Sequence, residues 1–598
     1  MPTQSVPRSA LRRAWTAPSV AAWLAVSAGG GCYAGLHDGP DAAADGADET
    51  GADGGDGEGD GDGTSPDDPR LFFTCDDEQA RLRGTSVARL RRLSSAELSH
   101  TLQALLGDDV YADAEIEPRI SGLPSDVTVD AGDFALDPPV TLALALSSVA
   151  KRVAEVAAAD PQWAGTHLAP CADAGPIDVA CATSVAEGFG GRVWRRDLTA
   201  AEIDAYVDYF EQTGGGAEGL GFMVRRILQA PSLVFHIEEG DGEPVDGRVR
   251  LTAFEVASRL AYTTTDAPPD DALMAAARSG ELDTIEGVRA HARRLLEGER
   301  ARAKVMDFFR FYTRLTSVAD PLPGAGARIG IDDTFGYGDE VKDEAFEFMS
   351  YVVESGGGFS ELMGSTAAFP RTDDLATVFG TEVVDGAEPA DAPTHPGLLH
   401  RPALLASGGA RTSPILRGAH VRKLFLCDSL PLPNPEDVMN RQEEVGDIEG
   451  MPNRDRVDTL TDAPACLGCH AVVNPLGFTF EGYDQLGALR DEEAVLAEDG
   501  TVSATWPIDT AVSDLPLEAG GPISVADSIE LADAMMHSYK ARACIARRVF
   551  EYYQLREHDA DLDGCVLHEQ ELQAHDGSLI DVFEAAVANE DILWKKAP

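Results

Sequence analysis

Five consecutive residues, Cys466-Leu467-Gly468-Cys469-His470, bring two thiols and an imidazole together at a spacing with a defined chemistry. Two cysteines separated by two residues can each add across one vinyl group of a single haem, and the histidine that follows reaches the iron as an axial ligand. The same residues have two other uses. A redox dithiol would want a βαβ setting, and half of a zinc site would want a second CxxC or an HxxxH pair. The pattern around residue 466 is helical and neither second pair occurs in the chain. Covalent haem c is therefore the expected cofactor, with His470 as the fixed ligand of its iron.

The residues that follow suggest supporting roles. Asn474-Pro475-Leu476-Gly477 resembles the stretch that follows the histidine in class I cytochromes c, and that resemblance implies that Pro475 offers its backbone carbonyl to the other imidazole nitrogen and so fixes tautomer and ring orientation; its other use is a loop turn. Arg490 could form a bidentate fork with a haem propionate, or an ordinary pair with Glu481 or Asp484. For the sixth iron position the candidates are Met451, in the loop-like EGMPN, and Met536, in the helical LADAMMHSYK. A thioether there would raise the potential and suit electron transfer, whereas an open position would permit peroxide or oxygen chemistry.

Other motifs are weaker. Asp559, Asp561, Asp563 and Gly564 begin like a calcium loop, but Gln570 stands where a bidentate Glu is needed, so an acidic turn between helices is the preferred reading over calcium binding. RTSPILRGAH, residues 411–420, reads as a structural lead into a helix and not as an anion site. Setting aside Cys32, Cys466 and Cys469 leaves six cysteines in a chain that meets an oxidising compartment. The local pairings Cys171 with Cys181 and Cys544 with Cys565 are the expected ones, which leaves Cys75 for Cys427; six cysteines allow 15 connectivities.

The elements that must position these residues are mostly helices. Apolar residues recur at helical spacing in SVARLRRLSSAELSHTLQALLG, TAAEIDAYVDYFEQT, VRAHARRLLEGERARAKVMDFFRFYTRL and DEVKDEAFEFMSYVVES. Ser95 with Glu97 and Thr199 with Glu202 stand where N-caps belong. The clearest strand signal is AVLAEDGTVSATW, where Asp499-Gly500 can close a hairpin. The expected fold is mainly α: several consecutive helical domains, one of them a cytochrome-c-like haem segment, with few short strands. Irregular Pro- and Gly-rich joints divide the body into helical units over 71–160, 161–245, 246–394, a haem segment over 395–495, and a C-terminal unit over 496–598.

Residues 1–31 read as an export signal, with Arg8, Arg12 and Arg13 before a short apolar stretch. Cys32 follows three glycines in a stretch that resembles the lipobox of bacterial lipoproteins, which implies lipidation of Cys32, while a cut after Ala28 would leave it an ordinary thiol; residues 32–70, built of Asp, Gly and Ala, form a self-repelling acidic linker that cannot bury a core. The expected product is an exported protein of the periplasm or cell surface, held to a membrane only through this lipid anchor. The 48 Lys and Arg against 102 Asp and Glu give a net charge of −54, which excludes nucleic acid as a partner and suits a redox protein with a basic docking face.

Several segments together resemble the large exported cytochrome c proteins of planctomycete type, built from consecutive domains of unknown function. They are 91–107, 189–206, 226–240, 251–273, 395–427, 466–490 and, more weakly, 544–557, in the family's order. The resemblance implies haem binding at Cys466, Cys469 and His470, exported redox chemistry, and a loose association with polysaccharide systems. The function expected is one-electron transfer by a monohaem c-type cytochrome at the cell envelope. Two other functions stay open. One is a non-enzymatic surface or carbohydrate-binding protein with structural haem; the other is a haem-dependent oxidoreductase such as a peroxidase or oxidase with an open distal site.

Overall fold

The computed structural model describes residues 71–597, except 77–78, 81–90, 124–139, 432, 449, 497–501 and 519–520. The export segment, Cys32 and the acidic linker lie outside the described residues. Helices dominate and the strands are short and paired in twos and threes, so the chain is mainly α. Among the described residues no helix is long and apolar enough to cross a membrane.

Local sequence signals set many helix starts. Thr199 and Thr252 each accept a hydrogen bond from the N–H three residues on, while the carboxylates of Glu202 and Glu255 accept one from the cap's own N–H. At the first such helix, Ser95–Leu106, the cap is Ser94 and not Ser95, because Ser94 is the residue three before Glu97. The expected hairpin also forms: β1 (Glu492–Leu496) pairs antiparallel with β2 (Val502–Pro507). Its turn at Asp499-Gly500 lies outside the described residues.

Two apolar cores hold the helices. The first runs from Leu93 to Leu233, with the 20-residue helix Val140–Ala159 packed on Gly216–Ile227. The larger one extends from Leu251 to Leu593 around Phe308, Phe309, Phe348 and Phe583. Tyr262 bridges them: its ring packs in the first core and its hydroxyl lies 2.7 Å from that of Thr101.

The two ends of the described chain are clasped together. The N–H groups of Phe72 and Phe73 donate to the carboxylate of Glu571, and Cys75 is bonded to Cys565. Strand Trp594–Lys596 pairs with Arg248–Arg250. This closure corrects the expected connectivity. Cys171–Cys181 forms as read from the sequence, but Cys565 takes the distant Cys75, and Cys544 takes Cys427. The local pairing of Cys544 with Cys565 yields because the two lie on different helices, Tyr539–Gln554 and Ala560–Asp576, each tied to another part of the fold.

The calcium-loop motif is likewise absorbed into helix Ala560–Asp576. Asp559 caps its first turn, Asp563 receives both guanidinium nitrogens of Arg556 at 2.6 Å, and buried Gln570 donates to the carbonyl of Ala546. The carboxylates are used as cap and ion pair, and no loop remains to wrap a cation.

Candidate functional site

Four helices surround the CxxCH residues: α1 (Pro414–His420), α2 (Pro435–Val445), α3 (Asn453–Thr461) and α4 (Pro464–Phe478). Pro464 opens α4 at its first turn, where a missing N–H costs nothing. Cys466, Cys469, His470 and Val473 then fall at helical spacing on one face.

α4 is set by close contact with α1. A β-carbon on Gly418 would lie 2.0 Å from the carbonyl oxygen of Val473, so at this crossing the two backbones touch and only glycine fits. Arg417, on α1, anchors the segment after α4. Its guanidinium donates to the carbonyls of Phe480 and Tyr483 and to those of Leu405 and Asp484. Burial lowers the Arg417 pKa to about 10, against the attraction of Glu481, and the group keeps its charge at neutral pH. Thr412, at the head of RTSPILRGAH, donates to Glu481, so this stretch is a structural clamp as the sequence suggested.

Between the helices lies a cavity of about 240 Å³. Ile415 and Ala419 of α1 wall one side, and Leu460 and Thr461 of α3 another, while Cys466, Cys469, His470 and Val473 line the α4 wall. Lys423 and Arg441 add cationic side chains. The outer wall is α2, which contributes Asp437, Val438 and Arg441 yet has no buried residue of its own. It is held from Arg441, which donates to the carbonyls of Thr459 and Leu460 and pairs with Asp462.

Cys466 and Cys469 are the two free cysteines among the described residues, and both are half-buried at the cavity. The Nδ1 of His470 lies 2.9 Å from the side-chain oxygen of Asn474, whose amide nitrogen lies 2.8 Å from the hydroxyl of Thr461. The proline expectation is corrected here: the helix continues through Pro475, so the side chain four residues after His470, and not a turned backbone carbonyl, stands beside the ring. Asn474 escapes the sequence reading because both uses considered for Pro475 turn the backbone there; its spacing of four from His470 is the signal that points to it.

The other expected residues stand elsewhere. Arg490 donates to the carbonyl of Glu481 and pairs with its carboxylate at 3.3 Å, the alternative use read from the sequence, and does not line the cavity. Glu481 is buried and also receives Thr412 and Asn453, which explains the hold on Arg490. Met451 directs its sulfur to the hydroxyl of Thr459, and Met536 packs over Gly364; neither lines the cavity. Among the described residues there is no group of three or more His, Cys, Asp or Glu arranged to hold a bare metal ion.

A covalently attached haem fits this donor set. Two free thiols three residues apart, the imidazole of His470, apolar walls and two cations are what its vinyl groups, iron, macrocycle and carboxylates would require. A second, larger cavity of about 660 Å³ is more polar and lies between the two cores, beside His167, Arg192, Asp271 and Glu299.

Comparison with known proteins gives three matches in chain order. Residues 181–238 match PSD5, a protein of unknown function (DUF1595). Residues 251–381 match PSD4, a protein of unknown function (DUF1592), and residues 395–493 match PSCyt3, a protein of unknown function (DUF1588). No curated protein and no solved structure matches. The third matched segment contains the CxxCH cavity, and the three in succession bear out the resemblance to the multidomain architecture of the planctomycete-type cytochrome c family.

Proposed function

We propose that the chain is an exported c-type cytochrome with one haem, acting in one-electron transfer at the cell envelope. The observation that carries this reading is the α4 wall of the cavity: two thiols and one imidazole share a helix face, while the other six described cysteines are in disulfides. Disulfides form in oxidising compartments, which supports export and a place in the periplasm or on the cell surface. Lipidation at Cys32 would supply the anchor.

Cys466 and Cys469 would hold the haem by adding S–H across its two vinyl groups, sulfur to one carbon and hydrogen to the next, with nothing released. His470 would present Nε2 to the iron. When bound, the group supplies a one-electron couple set by ligand, burial and hydrogen bonding. The chain's own part is to hold that group still. Asn474 orients the His470 ring, and the Gly418 crossing locks α4 against the core; Ile415, Ala419, Leu460 and Val473 keep water from the inner wall. A basic redox protein suits the acidic surface, and its association would weaken with salt.

The test is intact-mass spectrometry of the chain produced with cytochrome c maturation. A mass gain of one haem in the wild type, absent from Cys466→Ala/Cys469→Ala, supports the reading, and an unmodified wild-type mass refutes it.

A further inference from the structure

We propose that Thr461 and Asn474 select the tautomer of His470, which makes Asn474 a positioning residue for the ring nitrogen facing the cavity. The use of this selection rests on the haem reading; its geometry does not.

The two ends of an amide side chain look alike to their neighbours until something distinguishes donor from acceptor. Here the distinguishing group is Thr461. Its hydroxyl has one proton, and that proton is directed at the carbonyl oxygen of Val457, 2.8 Å away. The hydroxyl oxygen is left to accept, so Asn474 turns its NH2 toward it, at 2.8 Å, and its oxygen toward His470, at 2.9 Å. An amide oxygen only accepts. The Nδ1 of His470 must therefore carry the ring proton, and in the neutral imidazole Nε2 keeps the lone pair that a metal ligand needs.

The competing arrangement is also well defined. If Asn474 flips, its NH2 donates to a bare Nδ1, its oxygen accepts from Thr461, and the ring proton moves to Nε2. That state keeps two of the three bonds and loses the one from Thr461 to Val457. With Thr461 and Asn474 only 3% and 4% exposed, water does not replace it. One net hydrogen bond biases the populations roughly two- to tenfold toward the Nδ1–H form. The signal passes from the last turn of α3 to the face of α4, joining two helices that neighbour each other across the cavity wall.

The experiment is nitrogen NMR on the haem-free chain labelled at histidine, with His470 assigned by comparison with His470→Gln, under conditions where the imidazole is neutral. The expected wild-type result is a majority of the Nδ1–H form. Thr461→Val, which keeps the shape and removes the hydroxyl, should shift the population toward Nε2–H, and Thr461→Ser should restore it. A wild type dominated by Nε2–H, or a Thr461→Val population equal to wild type, overturns the proposal. In the haem-loaded chain, Asn474→Leu should raise the reduction potential and Asn474→Asp should lower it, because the acceptor sets how much electron density the ring offers. An unchanged potential in both also overturns it. Should no haem attach, the function proposed above fails while the tautomer populations still decide this inference.

Discussion

A β-carbon on Gly477 would lie 1.8 Å from the carbonyl oxygen of Pro414, closer than any side chain can be tolerated. The contact joins the last turn of α4 to the first residue of α1, and with Gly418 against Val473 it makes two backbone contacts along one crossing. The expected consequence is that Gly477→Ala destabilises the fold by about 1–3 kcal/mol or more, since two backbones must separate. It should also lower haem loading, because the cysteine-bearing wall moves with α4. Denaturant unfolding and the haem-to-protein ratio check both, with the exposed Gly386, which has open space around it, as the control for alanine substitution.

The disulfide network gives a second prediction. Peptide mapping without reduction should recover Cys75 joined to Cys565, Cys171 to Cys181 and Cys427 to Cys544. Cys75→Ser/Cys565→Ser should cost about 2–5 kcal/mol, with the stabilisation attributed chiefly to restriction of the unfolded chain. Recovery of Cys544 joined to Cys565 would contradict the closure of the two ends.

The buried carboxylate of Glu481 predicts the phenotype of Arg490. Arg490→Ala leaves a buried charge with one cation fewer, so a loss of about 3 kcal/mol in stability is expected. Arg417, 3.6 Å away, moderates it. A haem role for Arg490 would instead change the reduction potential at unchanged stability, and the two measurements separate these outcomes.

Acid should weaken the fold through buried histidines. Burial holds His395 near a pKa of about 4 and His400 near about 3, and their rings are held by the carbonyls of Gly487 and Pro396. In the unfolded chain both titrate near the ordinary 6.5. Between pH 6.5 and about 4 the unfolded state therefore binds protons that the fold refuses. The stability from this source is complete above pH 6.5 and is lost as pH falls through that window, by up to about 1.4 kcal/mol per unit for each histidine. Glu344 and Glu571, raised by burial, act in the opposite direction. The check is a difference: His400→Gln should show a pH slope shallower than wild type by about that single-group amount. An unchanged slope would mean that His400 is protonated in the fold.

How far the sequence could be read follows from where each constraint resides. Cys466, Cys469 and His470 were legible because their chemistry lies in the spacing itself, and the β1–β2 hairpin because its alternation and turn are local. Asn474 was not, because its role depends on α4 running on through Pro475. Arg490 has three possible partners in the sequence, a haem propionate, Glu481 and Asp484, and only the burial of Glu481 decides among them. The Cys75–Cys565 closure depends on two ends meeting across the whole fold, which no local pattern encodes. The acidic DADLDG stretch fits a calcium loop as a string, yet as a structure Asp559 caps a helix and Asp563 pairs with Arg556.

The central claim is tested most directly by the absorption spectrum of the chain made with cytochrome c maturation, recorded in pyridine and alkali after denaturation, beside Cys466→Ala/Cys469→Ala. The account predicts a c-type haemochrome that stays with the wild-type polypeptide, is absent from the double variant, and cycles reversibly between two oxidation states before denaturation. A folded wild type that carries no haem, with Cys466 and Cys469 instead interconverting between dithiol and disulfide, would contradict it.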